Sequence, residues 1–390
     1  MVPQKLIQSA VRFGAHAIWD GVTRPRARTK TDIPFAIEAI STDWLTAVLC
    51  ENSIGTKVVG FEFGPQTSGT TVRRRIDLHY STDNRNTDLP TSVFAKSSPR
   101  FVNRLTLGLT KTIENEALFY RNIRPRLTLE APRGYYSAYD LESGRSIHLL
   151  EDLVATKGAT FCSPSSIIDR SKAEDVVKVL AALHGTFFDY PDLSSEFPWL
   201  QTFPEWWRTG YEGFGLRRYH DEAINKAASV IPRDILSRRE EIWPAQVRSL
   251  QTHLATPATL IHGDVHLGNW YITRDGRMGL CDWQCVSIGS WARDFAYAVS
   301  ATLRIEDRRA WERDLLALYL REIEVATGRT IAYADAWKLY RQQTIAALLM
   351  WTPTLCHSPL MADMQPEDVS MEMIKRITTA MSDLDALSAV

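Results

Sequence analysis

His262-Gly263-Asp264-Val265-His266-Leu267-Gly268-Asn269 is followed by a short apolar run, a turn, and Leu280-Cys281-Asp282-Trp283. Residues 270–273 and 278–281 read as strands, and the Asp275-Gly276 pair between them is a strong hairpin signal. If Asp275 and Gly276 are the two turn residues, Arg274 pairs with Arg277, Tyr271 with Leu280, and Asn269 with Asp282. Cross-strand partners have Cβ atoms about 4.5–5.5 Å apart. An amide oxygen and a carboxylate then meet at the open end of a hairpin, just after a loop that carries Asp264. Magnesium takes few protein oxygens and completes its shell with water and phosphate oxygens. Asn269 and Asp282 are a fitting pair for it, and Asp264 stands where it could orient a hydroxyl.

Other chemistry fits the stretch less well. His262 and His266 are four apart, but Gly263 and Gly268 spoil the helix that a zinc-protease His pair needs. No third His or Cys ligand follows at suitable spacing. Cys281 and Cys285 read as small core residues, because thiolates there would compete with a site of hard oxygens.

The chain of 390 residues is 45% hydrophobic and 23% charged, which describes an ordinary globular protein of two lobes or two to three domains. Lys and Arg number 45 against 46 Asp and Glu, a balance that excludes nucleic-acid binding through bulk charge. Five cysteines without framework spacing point to a reducing, cytoplasmic compartment. No apolar run reaches the roughly 18 residues of a membrane span, so no membrane partner is expected. Residues 4–19 read as an amphipathic helix that docks on the body, broken by Arg12 and His16 and thus a poor signal peptide.

Residues 1–150 read as a first lobe, with helix and linker in 1–34, and residues 151–390 as a second. In the first lobe Ser41 could cap a short helix with Trp44, Leu45 and Val48 inward. Strands follow at 58–63, 72–80 and 92–96, with a polar tip at 81–90. A helix over about 110–124 comes next, then strands at 134–140 and 146–150. Past Asp152 the pattern turns helical. Ser171-Lys172-Ala173-Glu174 reads as a capping box. Further helices are expected near 204–230, 234–254, 290–303, 306–326, 332–351 and 366–388. Strands first and helices later signal an α+β chain, with an N-terminal antiparallel sheet lobe and a larger, mainly α-helical C-terminal lobe.

Two features of the first lobe bear on phosphate. Gln66-Thr67-Ser68-Gly69-Thr70-Thr71 links two strands, and small residues around a Gly leave amides free to face phosphate oxygens. Lys96 ends a short apolar strand. On the helix that follows, Glu116 falls within the apolar stripe of Ile113, Ala117, Phe119, Tyr120 and Ile123, while Glu114 falls on the charged side. A carboxylate in an apolar stripe needs a partner, and Lys96 is the natural one. The paired ammonium could then hold the α- and β-phosphates of a nucleotide.

With these residues in view, the chain resembles the protein-kinase-like small-molecule phosphotransferases, the aminoglycoside phosphotransferase and choline kinase group, most of all its ecdysteroid-kinase-like branch. The resemblance spans roughly residues 35–390. It is carried by residues 262–269, Cys281-Asp282-Trp283-Gln284 and Leu150-Glu151-Asp152-Leu153. Ala182-Leu183-His184 and Arg293-Asp294-Phe295-Ala296 support it. It implies a bilobal protein-kinase-like fold and ATP- and magnesium-dependent transfer of a phosphoryl group to a small hydroxylated molecule, a metabolite or antibiotic. Asp264 would be the catalytic Asp and His262 would brace its loop. Asn269 and Asp282 would bind magnesium, and Lys96, held by Glu116, would bind ATP phosphates beside Ser68, Gly69 and Thr70. Glu151, Asp152 and Leu153 would form the hinge that meets adenine, and Asp294 would support the catalytic loop. The chain departs from the kinase pattern in its single Gly at 66–71 and in Trp283-Gln284 where protein kinases have Phe-Gly. It has no protein-kinase activation loop, which disfavours protein substrates.

The acceptor would bind in the helical lobe. Trp199, Phe203, Trp206, Trp207, Tyr211 and Phe214, with Trp351, His357 and Met361 later, are the richest candidates, and His266 stands in the catalytic loop itself. Adjacent Trp206 and Trp207 cannot both face one side of a helix, so one could line a pocket. Arginines 208, 217 and 218 offset Glu205 and Glu212 there, so the acceptor is expected to be apolar or neutral rather than polycationic. Two other functions remain open on the sequence: a nucleotide-binding regulator without catalysis, and a metal-dependent hydrolase built on His262, Asp264 and His266. Oligomeric state is not legible.

Overall fold

The computed structural model describes residues 4–81, 88–190, 193–359, 361 and 363–390, with the side chains of residues 4–6 and 211–213 also outside the description. Most of the tip expected at 81–90 lies outside the described residues, as does the side chain of Tyr211. The chain divides into two compact units. One comprises Met1–Arg126, Pro132–Gly158 and Pro359–Met364, and the other Leu127–Ala131, Ala159–Ser358 and Gln365–Val390.

The first unit holds strands β1 (Val58–Ser68), β2 (Val72–Tyr80), β3 (Ser92–Ser97), β4 (Gly134–Asp140) and β5 (Arg145–Glu151). They form one antiparallel sheet in the order β1-β2-β3-β5-β4. Ile76, Val93, Ala95, Ile147 and Leu149 alternate onto one face and bury Trp44 of the helix Thr42–Leu49. Ser41 caps that helix as expected, its hydroxyl accepting from Trp44 N at 3.1 Å. The cross-strand pair Lys96 and His148 joins β3 to β5.

The single helix expected over 110–124 is not formed. A helix at Phe101–Leu109, not anticipated, is followed by Thr112–Leu118, a wide π turn at Phe119–Ile123 and a 3₁₀ turn at Arg124–Arg126. Lys111 separates the first two with φ 58°. Thr110 and Thr112 donate their hydroxyls to Thr106 O (2.8 Å) and Leu107 O (3.2 Å). Hydroxyls that capture backbone carbonyls compete with continuation of a helix.

The second unit is mainly helical, with Arg170–Thr186, Trp291–Thr302, Ile305–Thr327, Tyr333–Leu355 and Glu367–Asp383 among its longest helices. The first of these begins earlier than the Ser171 capping box implied. Asp169 is the cap, accepting from Lys172 N at 3.0 Å, because a carboxylate outcompetes the Ser171 hydroxyl, which donates to it instead. The helix expected over 204–230 is split at Gly215, φ 62°, and that over 234–254 is split into three. Short strands β6 (Thr160–Phe161), β7 (Thr259–Ile261), β8 (Trp270–Ile272), β9 (Met278–Leu280) and β10 (Ser287–Gly289) make two small sheets, β6-β8-β9 and β10-β7.

The fold is therefore α+β, an antiparallel-sheet unit and a larger helical one. All five cysteines are free thiols. No helix among the described residues is long and apolar enough to cross a membrane.

Candidate active site

Strand β7 delivers the loop of Asp264, and a buried carboxylate fixes its path. Asp294, near the start of helix Trp291–Thr302, accepts from His262 N at 2.6 Å, from Gly263 N at 2.9 Å and from His184 Nε2 at 3.3 Å. Burial alone would push the Asp294 carboxyl up. The hydrogen bond and charge of His184, with His262 and Arg293, outweigh it and hold the carboxyl below its usual range. Arg293 donates to Gly263 O at 3.2 Å and lies against the rings of Phe203 and Tyr297. Gly263 has φ 81°, and a Cβ there would stand 2.5 Å from Cys285 O, so only glycine fits.

His262 joins the two halves of the motif. Its Nδ1 accepts from Asp264 N at 3.2 Å, which leaves Nε2 as the protonated nitrogen, donating to Cys281 O at 3.1 Å. Burial pushes this imidazole below its ordinary value, so it is a neutral brace. Both nitrogens are engaged, so neither is available as a ligand for a hydrolytic metal.

Asp264 is half-buried. Its Oδ1 accepts from the Tyr297 hydroxyl at 3.1 Å, and its Oδ2 lies 3.3 Å from Asn269 Nδ2. The same Asn269 amide donates to Asp264 O at 2.7 Å. The amide of Asn269 is thus spent on the loop, and Oδ1 is the side-chain atom it can offer elsewhere. Tyr297 was not found from the sequence. The signal was present: it lies three residues after Asp294, on the same helix face.

The expected hairpin register is overturned by one residue. Trp270 pairs with Leu280, Tyr271 with Gly279 and Ile272 with Met278, and Asn269 O accepts from Cys281 N at 2.9 Å. Asn269 is therefore opposite Cys281, not Asp282. The turn has three residues, Arg274-Asp275-Gly276, closed by Thr273 N donating to Arg277 O at 2.9 Å, with Gly276 at φ 85°. Asp275 tightens it by accepting from Thr273 Oγ1 at 2.6 Å and Arg277 Nε at 2.8 Å. A slip of one residue would normally turn a side chain to the other face of a sheet. Asp282 escapes that rule because it has left the strand, with φ 66° and ψ 67°.

In the first unit Lys96 Nζ lies 2.7 Å from Glu116 Oε2, with both side chains buried. His148 Nε2 is 3.8 Å from the same oxygen. Glu114, expected on the charged side, is buried too, and burial pushes its carboxyl up. At the loop 66–71, Ser68 still belongs to β1, and the Gly69 amide donates to Thr71 O at 3.0 Å. Asn103 Nδ2 donates to Gly69 O (3.1 Å) and Thr70 O (2.7 Å), tying the hairpin to helix Phe101–Leu109. At residues 151–153, Glu151 N donates to Arg133 O at 2.8 Å. Asp152 is buried and caps the helix Leu153–Lys157, with Ser92 Oγ at 2.7 Å and Arg75 Nε at 3.0 Å on its Oδ2. Leu153 opens that helix, where an amide has no partner within the helix.

Of the acceptor candidates, His266 meets Asp264 and Trp351 meets His266. His266 Nε2 lies 3.8 Å from Asp264 Oδ2, and the Trp351 ring meets the His266 ring edge-on at 5.1 Å. Trp206 and Trp207 are both buried: Trp206 stacks on Phe203, and Trp207 leans on Trp243. Trp207 does border a cavity of about 560 Å³, together with Trp243, Arg208, Arg217 and Leu254. None of Asp264, Asn269 and Asp282 lines it.

The second unit holds a carboxylate in a clamped loop and the first a buried Lys-Glu pair, and a family match places the chain in the class of small-molecule kinases. Residues 91–334 match the family model of the phosphotransferase enzyme family, and the chain belongs to that family. Among solved structures it is similar to an ethanolamine kinase of Plasmodium vivax, with 13% identity, TM-score 0.45, and 85% of this chain and 83% of that one covered. A choline kinase from Streptococcus pneumoniae shares 14% identity at TM-score 0.45, covering 87% and 98%. A choline kinase from Cryptosporidium parvum shares 12% at TM-score 0.49, covering 84% and 89%. No curated protein matches the chain.

Proposed function

We propose that the protein transfers the γ-phosphoryl group of ATP, with magnesium, to a hydroxyl of a small molecule. The observation that carries this reading is the Asp264 carboxylate, fixed through Oδ1 by Tyr297 and near Asn269 through Oδ2, in a loop that Asp294 clamps. Asp264 would accept the proton of the acceptor hydroxyl as its oxygen attacks the γ-phosphorus and ADP leaves. A carboxylate that cannot swing away supplies positioning, which is most of what phosphoryl transfer asks of a protein.

Magnesium fits the residues present. Asn269 presents Oδ1 once its amide is committed to Asp264, and Asp282 supplies a half-buried carboxylate. Both are hard oxygen donors of the kind that ion prefers. Bound there, it would neutralise charge on the phosphate oxygens. Lys96, oriented by Glu116, would bind the α- and β-phosphates. Ser68, Gly69 and Thr70 would lie along them, with the role of the Gly69 amide reduced by its bond to Thr71 O. Around adenine the Leu153 amide is the donor of choice, since that of Glu151 is committed to Arg133. Asp152 would hold the segment in shape. His266 and Trp351 would border the acceptor, which the apolar ring of Trp351 suits to a neutral or apolar alcohol. Trp206 and Trp207, packed on Phe203 and Trp243, would serve as core rather than as contacts to the acceptor.

ATP consumption measured across alcohols, amino sugars and sterols tests the reading. With a positive acceptor, Asp264→Asn should lower kcat by about two to four orders of magnitude while calorimetric Mg-ATP binding is retained. A variant that turns over within about tenfold of the parent would overturn Asp264 as the base. Nucleotide binding with no phosphorylated product from any acceptor would favour a regulator instead.

A further inference from the structure

The N-terminal helix Gln4–Thr23 buries one face and leaves the opposite face bare. Phe13 and Asp20, two turns apart, are buried. The Phe13 ring lies so close to Gly108 and Gly144 that a Cβ at either would meet it, at 2.7 and 3.1 Å. Asp20 pairs with Arg104 at 2.7 Å and also with Arg145. On the far side Ile7, Val11, Ile18 and Val22 are 53%, 69%, 71% and 78% exposed, and Trp19 beside them is 63% exposed. Their spacing draws one line along the helix. Packing explains Phe13 and Asp20, but it gives no reason for five large apolar side chains in water.

A basic run follows at once. Arg24, Arg26 and Arg28 are exposed, and none has an ion pair among the described residues. Other cations nearby are matched, Arg12 with Glu142 and Lys30 with Glu51. Ala27 is buried and donates its amide to Ala39 O at 3.0 Å, so Arg26 and Arg28 flank an anchored residue.

We propose that this helix face and the arginines behind it form a docking surface for an anionic lipid bilayer. Ile7, Val11, Ile18, Trp19 and Val22 enter the headgroup boundary, and Arg24, Arg26 and Arg28 meet the charged headgroups. An apolar stripe with tryptophan, followed by a cationic cluster, is the composition of a helix that lies in a membrane interface without crossing it. The absence of a spanning segment in the sequence does not bear on such a surface, and the surface does not depend on the phosphotransfer reading. A second copy of the chain is the competing occupant. In a parallel pairing the three arginines would repel their counterparts. In an antiparallel one they would face a helix with no acidic residue before Asp20. An anionic surface answers both parts of the patch.

Sedimentation of the full chain with vesicles tests this. The protein should pellet with equimolar phosphatidylglycerol and phosphatidylcholine vesicles and stay in solution with phosphatidylcholine alone. Arg24→Gln/Arg26→Gln/Arg28→Gln should weaken binding about a hundredfold at low salt. Val11→Ser/Ile18→Ser/Val22→Ser should weaken it about tenfold or more. Thermal melting and nucleotide turnover should be unchanged in both, since none of these residues belongs to the site above. Failure of the parent chain to pellet with anionic vesicles, or pelleting that both triple variants retain, overturns the proposal. So does a dimer in sedimentation velocity that Ile18→Ser dissolves, which would show that a second copy covers the stripe.

Discussion

Tyr297 donates to Asp264 Oδ1, and burial together with the Asp264 charge pushes its own ionisation well above the ordinary range. It is therefore a donor at every pH at which the protein works, and its effect on Asp264 is orientation. Tyr297→Phe removes one hydrogen bond to a carboxylate, worth about 1.5–3 kcal/mol. In steady-state assays kcat should fall roughly ten- to a hundredfold, while KM for ATP barely moves and the melting temperature falls by several degrees at most. A lower melting temperature with kcat unchanged would instead mark Tyr297 as a packing residue. Gly263 is constrained on the other side of the same loop. At φ 81°, with Cys285 O where a Cβ would go, Gly263→Ala should cost at least about 1–3 kcal/mol in denaturant unfolding. Phosphoryl transfer should be lost with it, because the strain falls on the residue next to Asp264.

At the scale of elements, the hairpin β1–β2 depends on a side chain that the sequence did not advertise. Asn103 holds the Gly69 and Thr70 carbonyls from a helix that strand and turn patterns missed. Asn103→Ala frees the loop, so KM for ATP should rise about three- to tenfold at nearly constant kcat, the loss expected of about one hydrogen bond to two. An unchanged KM would remove this loop from nucleotide binding. What the sequence made legible was periodicity and local chemistry. Alternation gave β2 its bounds, β4 was placed at 134–140, the Ser41 cap was visible, and Glu116 inside an apolar stripe pointed to Lys96, now 2.7 Å from it. What it hid was decided by single-residue competition. Asp275 drew Thr273 and Arg277 into a three-residue turn and moved Asn269 opposite Cys281. Asp169 took the cap from Ser171. Threonine hydroxyls at 110 and 112 ended one helix and displaced the next. Such contests turn on differences near 1 kcal/mol, below what a pattern in one sequence resolves.

For the whole molecule, buried imidazoles set the dependence of stability on pH. Burial lowers His220 to about 4 and His253 to about 3. His253 is locked neutral by its partners, Nε2 to Gln343 Oε1 at 3.2 Å and Nδ1 accepting from Ser290 N at 3.1 Å. An unfolded imidazole titrates near about 6.5. Above that pH both states hold these rings neutral, and stability is level in this respect. Between about 6.5 and the folded values the unfolded chain binds protons that the folded one refuses, so stability falls as pH falls. The slope is about 1.4 kcal/mol per pH unit for each group, and about three times that once His262, whose imidazole burial also holds below its ordinary value, is counted with these two. Asp294 adds to the loss only lower down, once the unfolded carboxyl begins to protonate below about pH 4. Urea unfolding should thus show a midpoint that is flat between about pH 7 and 8 and that drops steadily from about 6.5 to 4.5. His253→Gln should remove about a third of that slope, whatever it costs at neutral pH, because the slope reports proton uptake alone and a change in packing shifts stability equally at every pH. A variant with the parent's full slope would show that His253 is not among the groups excluding the proton.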